Sequence, residues 1–315
     1  MKLVLRALAA ALVCSTPVVA HAQSGDAEAA KVDRWREAMN SARWTGPLLA
    51  SNANTLPKGH VYTEPYFFDV ISGGEHNPGS SGFYQYGLLD NWTVGVQPFF
   101  SWGTQPHNRD VAIGDFKLLS QVRVSNFTPD HRVPSVALVT NLVLPTGKDD
   151  HLGALKQGHG SGSFAPEIGI NVQQYFLLPN GRLLRGRINV LQQFPLRHDV
   201  SGRSVYGTGP DFRGHARPGS KTTLILGAEY SLTKEWVLAF DVEADFWGRT
   251  KVDGRDGNGP LVRHVSSKSW NVGFAPAVEY NWSDRAGVIL GVWIIPKGHN
   301  TSSTVIPAIA IQRFW

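Results

Sequence analysis

From His60 to Trp315, apolar and polar residues alternate with a period of two, in runs broken by clusters of Gly, Pro, Asn and Asp. Successive side chains of a strand point to opposite sides, so each run reads as a two-faced ribbon. In Trp236–Trp247 one face carries Trp236, Leu238, Phe240, Val242, Ala244 and Phe246. The other carries Val237, Ala239, Asp241, Glu243, Asp245 and Trp247. Trp270–Trp282 repeats the scheme with Glu279 on its polar face, and Leu184–Phe194 does so with Arg185 and Arg187. Weaker copies span Ala112–Val124, Ile168–Leu178 and Leu224–Leu232. Upstream, residues 25–42 have a thin apolar face and read as a short peripheral helix, followed by a stretch containing Pro, Asn and Gly at 45–59.

The runs predict about twelve strands, at 60–70, 83–89, 92–101, 111–126, 135–145, 165–178, 182–194, 220–232, 236–249, 267–282, 286–297 and 303–315. Short connections (90–91, 128–134, 179–181, 233–235 and 283–285) alternate with long ones (71–82, 102–110, 145–164, 195–219 and 250–266). An even number of antiparallel strands with tight turns at one end and long loops at the other is the pattern of a closed transmembrane β-barrel. A soluble β-protein would alternate too. Strands of 11–16 residues exceed the roughly 5–6 residue mode of globular sheets but suit a tilted bilayer crossing. Trp92, Trp102, Trp236, Trp247, Trp270, Trp282 and Trp315 sit where strands meet turns, as aromatic girdles do. The chain ends on Phe314-Trp315, the kind of terminal aromatic strand that the barrel assembly machinery reads, although Arg313 departs from its apolar spacing. The expected fold is therefore all-β, a closed antiparallel barrel over 60–315 with a short N-terminal helical or extended segment, 23–59, on the periplasmic side.

Residues 1–22 have the form of a signal peptide: Lys2 and Arg6, then the apolar Ala7–Val13, then Ala20-His21-Ala22 as the cleavage site. Val13 before Cys14 argues against a lipid acceptor. Removal of the leader would take two positive charges and the single cysteine with it, leaving 293 of the 315 residues, no thiol, and +3 of the formal +5 charge. That excludes disulfides and thiolate chemistry. The charge is too small, and too scattered, to imply nucleic acid as a partner. The expected location is the bacterial outer membrane, with its lipid as the surrounding partner.

Several stretches resemble the outer-membrane transporter-like family described as "MetA-pathway of phenol degradation". They are Trp44-Thr45-Gly46-Pro47, Asn54-Thr55-Leu56-Pro57-Lys58-Gly59-His60, Glu64-Pro65-Tyr66, Tyr86-Gly87-Leu88-Leu89-Asp90-Asn91-Trp92, Ile113-Gly114-Asp115 and Leu144-Pro145-Thr146-Gly147-Lys148. The resemblance implies a channel or transporter linked to uptake of aromatic compounds, without catalytic residues.

In a barrel the polar faces turn to the lumen. Glu229, Asp241, Glu243, Asp245 and Glu279 would form an acidic wall, and Arg185, Arg187, Lys117 and Arg123 a basic one. Such a field across the pore sets selectivity; the competing account is a salt-bridge network filling a narrow interior. Arg187 with Glu229 is the first ion pair expected. Phe99, Tyr175 and Trp247 would line the lumen. Histidines 76, 107, 131, 151, 159, 198, 215, 264 and 299 fall in or beside loops, without metal-ligand spacing, and Asp149-Asp150-His151 reads as a solvated loop end. Gly158-His159-Gly160-Ser161-Gly162 lacks the nucleophile-elbow setting. The leading expectation is thus a passive channel for small apolar or aromatic molecules, needing no cofactor. The alternatives are a lipid hydrolase using Ser161 and His159 at the rim, or a sealed structural barrel.

Overall fold

The computed structural model describes residues 24–102, 111–129, 133–153 and 158–315; the expected signal peptide, His107 and His131 lie outside them. Helix α1 (Ser24–Asn40) precedes the barrel strands β1 (Val61–Ser72), β2 (Glu75–Leu89), β3 (Trp92–Gln97), β4 (Phe99–Trp102), β5 (Val111–Ile113), β6 (Phe116–Ser125), β7 (Ser135–Leu144), β8 (Ala165–Leu177) and β9 (Leu183–Gln193). After β10 (His198–Ser201) and β11 (Phe212–Arg217) come β12 (Lys221–Ser231) and β13 (Trp236–Trp247). After β14 (Lys251–Asp256) and β15 (Leu261–Val265) come β16 (Ser269–Ser283), β17 (Ala286–Ile295) and β18 (Thr304–Phe314). No described helix is long and apolar enough to cross a membrane.

Every pairing is antiparallel, and β1 bonds to both β18 and β2, so the sheet closes on itself. β4 continues β3 past Pro98 along the same partner, β2, while β5 leads into β6; the wall is therefore twelve strands around. The alternation is inverted relative to a soluble domain. Along β13, Trp236, Leu238, Phe240 and Phe246 are exposed, whereas Val237, Ala239, Asp241, Glu243 and Asp245 are buried, Asp241 completely. Apolar side chains outside and ionisable ones inside are what hydrocarbon outside and a polar lumen inside require.

Three expected loops carry strands. Residues 71–82 form a hairpin, Ser72 opposite Glu75, around Gly73 (φ 59°) and Gly74 (φ 81°). Both central residues of such a tight turn need positive φ, which glycine adopts without a Cβ clash. The stretch Gly73–Gly82 has no apolar residue to alternate, and pairing with β1 decides its conformation instead. The connections 195–219 and 250–266 likewise carry β10, β11, β14 and β15, a four-stranded sheet above the barrel rim. One of its faces buries Val200, Phe212, Ala216 and Val252 beneath Tyr206.

The N-terminal segment also departs from expectation. Trp35 of α1 packs against Phe127 at the short-turn end, the rings tilted and 5.6 Å apart between centroids, but residues 43–56 run inside the barrel rather than beside it. They have no regular secondary structure, so their backbone groups must find other partners, and the lumen wall supplies them.

The lipid-facing assignment has a direct check. Leu226 sits midway along β12, 47% exposed on the outer face. Leu226→Arg is expected to destabilise the barrel by about 2–4 kcal/mol in reversible unfolding from lipid vesicles; an unchanged midpoint would mean that this face meets water.

Candidate functional site

The segment's path is fixed by hydrogen bonds to successive strands. At the short-turn end Arg43 N–H donates to Lys234 O (2.9 Å), and its guanidinium holds Asp284 (2.6 Å). That hydrogen bond and charge keep the Asp284 carboxyl below the usual carboxylate range. Deeper in, Thr45 N–H donates to Glu279 (2.7 Å), Thr45 Oγ1 to Asn281 (2.6 Å) and Leu49 N–H to Asp241 (2.9 Å). At the apex Arg187 Nη1 donates to Ala50 O (2.6 Å), and the Asn189 amide brackets Ser51, accepting from its N–H (2.8 Å) and donating to its O (3.0 Å). The chain then descends. Gln121 donates to Asn52 O and Asn54 O (3.0 and 3.1 Å), Thr93 accepts from Leu56 N–H (2.8 Å), and Asp90, in the β2–β3 turn, accepts from Lys58 N–H (3.0 Å). Gly46, at φ 138°, lies against the Arg187 guanidinium, which a Cβ would meet at 3.4 Å. The segment is thus a loop hung in the lumen with both feet at the same rim.

Arg185 grips Glu229 through Nε (2.6 Å) and Nη2, and Arg187 Nε lies 3.2 Å from the same carboxylate. Because β9 and β12 are neighbours, Glu229 sits against both arginines, and the expected opposition of an acidic and a basic wall is not what the sheet order builds. Arg185 also lies over Trp44 of the segment, 4.5 Å from the ring centroid, and 5.9 Å from Tyr175. Asp241 and Glu279 accept from segment N–H groups. Asp245 takes Lys221 (3.0 Å) and Thr223 (2.6 Å), with Glu243 buried beside it. Lys117 pairs with Glu167 (3.2 Å). Arg123 lies lower, donating to Asp90 O (3.0 Å). Sequence reading placed Gln121 and Asn189 on polar strand faces without naming them as site residues, and did not single out Glu64, Glu167 or Asn171; inward parity on their strands was the available signal.

Across the lumen one patch of the wall is apolar, between the buried polar groups Glu64, Glu279 and Gln312 of the same strands. Leu48 of the segment packs with Ala275, Ile289, Ala308 and Ala310, flanked by Tyr66, Phe68 and Trp293. Above the loop's apex a cavity of about 290 Å³ opens between Val143, Ala165, Gln193, Lys221 and Trp247.

At the rim, Ser161 donates N–H and Oγ to Asp115 (both 2.7 Å), and the Tyr206 hydroxyl donates to Ser161 O. His159 contacts Ser101 Oγ instead (3.0 Å), and burial lowers its pKa. Ser161 and His159 therefore have separate partners. Asp149 meets His198 (3.2 Å) and Asp150 meets His151 (2.9 Å). Among the described residues no group of three or more His, Cys, Asp or Glu is placed to hold a metal.

Removing one member of a buried ion pair leaves a charge unpaired, at a cost of about 3–5 kcal/mol. Glu229→Ala is expected to lower unfolding stability by that amount. Arg185→Met with Glu229→Leu should recover most of it. A loss below about 1 kcal/mol for the single change would mark the pair as solvated.

No family model and no curated protein matches the chain, so the phenol-degradation resemblance rests on its motifs. Among solved structures, an outer membrane channel from Pseudomonas putida F1 is similar with a TM-score of 0.56 and 12% identity, over 86% of this chain and 100% of that one. The Pseudomonas putida toluene transporter TodX gives 0.37 and 13%, over 87% and 95% of the two chains. OmpT, an outer membrane protein of Vibrio cholerae, gives 0.28 and 10%, over 85% and 99%. With the first of these the chain shares a fold, and fold alone does not fix function.

Proposed function

We propose that the protein is an outer-membrane channel through which small apolar molecules pass without energy input, and that residues 43–56 are its internal gate. The observation that carries this reading is the loop itself. It fills the lower lumen through hydrogen bonds from wall side chains, and no strand of the barrel is built from it. An apolar strip from β16 to β1 borders the loop on one side, a surface along which a greasy solute loses little on leaving lipid or water. The fold shared with an outer membrane channel and the motif resemblance support the same reading. The separate partners of Ser161 and His159 weigh against the hydrolase alternative, which needs nucleophile and base within hydrogen-bond reach. The terminal strand ending at Trp315 is read as the contact for barrel assembly.

A reversible lock separates a gated channel from a sealed barrel. The only cysteine is Cys14, within the leader sequence, and Thr45 Oγ1 lies 2.6 Å from Asn281 Oδ1. Thr45→Cys with Asn281→Cys should pass benzyl alcohol into liposomes when reduced and fall to the leak of empty liposomes when oxidised, with recovery on adding thiol. Equal flux in both states places the route away from the loop. Absence of flux in the unmodified protein removes the channel reading.

A further inference from the structure

The sheet above the rim carries a second arrangement. At the top of the barrel Lys221 stands opposite Trp247. The pairing frame runs on without gaining or losing a residue, through Gly248 N–H to Ser220 O (2.7 Å), and sets Arg217 opposite Lys251 in β11–β14. Side chains an even number of residues apart share one side of a sheet. Arg217, Lys251, Arg213 and Arg255 therefore continue the face that holds the lumen residues Lys221 and Trp247.

On that face Arg213 is directly opposite Arg255, and Arg217 directly opposite Lys251, with His215 opposite Asp253 between them. All four cations are exposed. Like charges directly opposite one another weaken a β-ladder, and the nearby acids are already engaged, Asp253 with Arg263 (2.9 Å) and Asp199 with His215 (2.6 Å). Arg255 reaches only the Gly259 carbonyl, at 3.5 Å. A groove of about 850 Å³ lies over the outer pair, lined by Arg213, Arg255, Ser201 and His215 and also by Asp211 and by Asp253, the latter held by Arg263. Four residues of strand separate the two cation pairs, about 13 Å at 3.3 Å per residue. Deeper in, the next cation of the row, Lys221, is neutralised by Asp245.

We propose that this row captures small organic anions, carboxylates with an apolar or aromatic body, and hands them to the cavity beside Trp247. A guanidinium fork bonds a carboxylate through two parallel N–H groups, and two cations facing each other across one ladder recover their mutual repulsion when an anion sits between them. The four cations of the row outnumber the carboxylates on that face, and a concave surface with an excess of one sign concentrates the opposite sign, as rings of Arg or Lys do in anion pores. Neutralisation at Lys221 ends the pull where the lumen begins, so the anion is not trapped on a deeper charge. The inference deepens the channel reading and takes its route from it, while its binding step stands apart from transport.

The test is equilibrium binding to the full chain in detergent, with benzoate, benzylamine and benzyl alcohol as matched probes. Benzoate is expected to bind at least about tenfold more tightly than benzylamine at low salt, with the preference shrinking as salt screens it. The variant R213Q/R217Q/K251Q/R255Q should lose that preference while unfolding no earlier than the unmodified protein, because the substitutions remove repulsion rather than support. Equal binding of benzoate and benzylamine, or a preference that survives the four substitutions, overturns the proposal. Benzoate binding without flux into liposomes would count against the channel and leave the capture site standing; benzyl alcohol flux without benzoate binding would do the reverse.

Discussion

A strand in hydrocarbon has no water with which to satisfy its backbone, so the sheet that contains it has to close. Every other feature of this molecule follows from that constraint. Closure of β1 onto β18 leaves no free edge in the wall, and alternation then divides each strand between lipid and lumen. The outer face needs only to be apolar, a demand that Leu226, Phe240 or Ile309 meets with no specific partner. The inner face is where particular residues are needed.

A lumen enclosed by twelve strands is too narrow to leave its charges in bulk water and too polar to pack dry. The chain resolves this by folding a piece of itself inward. Residues 43–56 bring backbone N–H and C=O groups to Glu279, Asp241, Asn189, Arg187 and Gln121, and each would otherwise be an unsatisfied group in a low-dielectric space. The arginines of β9 gather on Glu229 because their strands are adjacent, so local neutrality takes the place of a field across the pore. Above the rim, where water returns, neutrality is relaxed, and cations of β11 and β14 stand directly opposite one another.

How much of this is legible in the sequence depends on how strongly the alternation is written. Trp236–Trp247 states both faces without ambiguity, and the barrel with its inner acids follows from such runs. Gly73–Gly82 states nothing, since without an apolar residue a paired strand and a loop read alike. The loop in the lumen is hidden for a related reason. Its anchors are main-chain groups, which look the same in every residue, and their partners, Asn189 and Gln121, are uncharged residues common in any strand. Strand order brings the arginines of β9 to Glu229, but the expected partner was Arg187; the register sets Arg185 directly opposite Glu229 and leaves Arg187 two residues along, as the more distant contact.

The loop rises and descends from one rim, and nothing of the barrel passes through it. It can therefore back out along the path by which it came, without unthreading and without breaking a rung of the wall. A pull on α1 would load its attachments one after another, Arg43 and Thr45 before Leu49 and Ser51, so the stopper would peel rather than shear, at a force set by the strongest single attachment rather than by their sum.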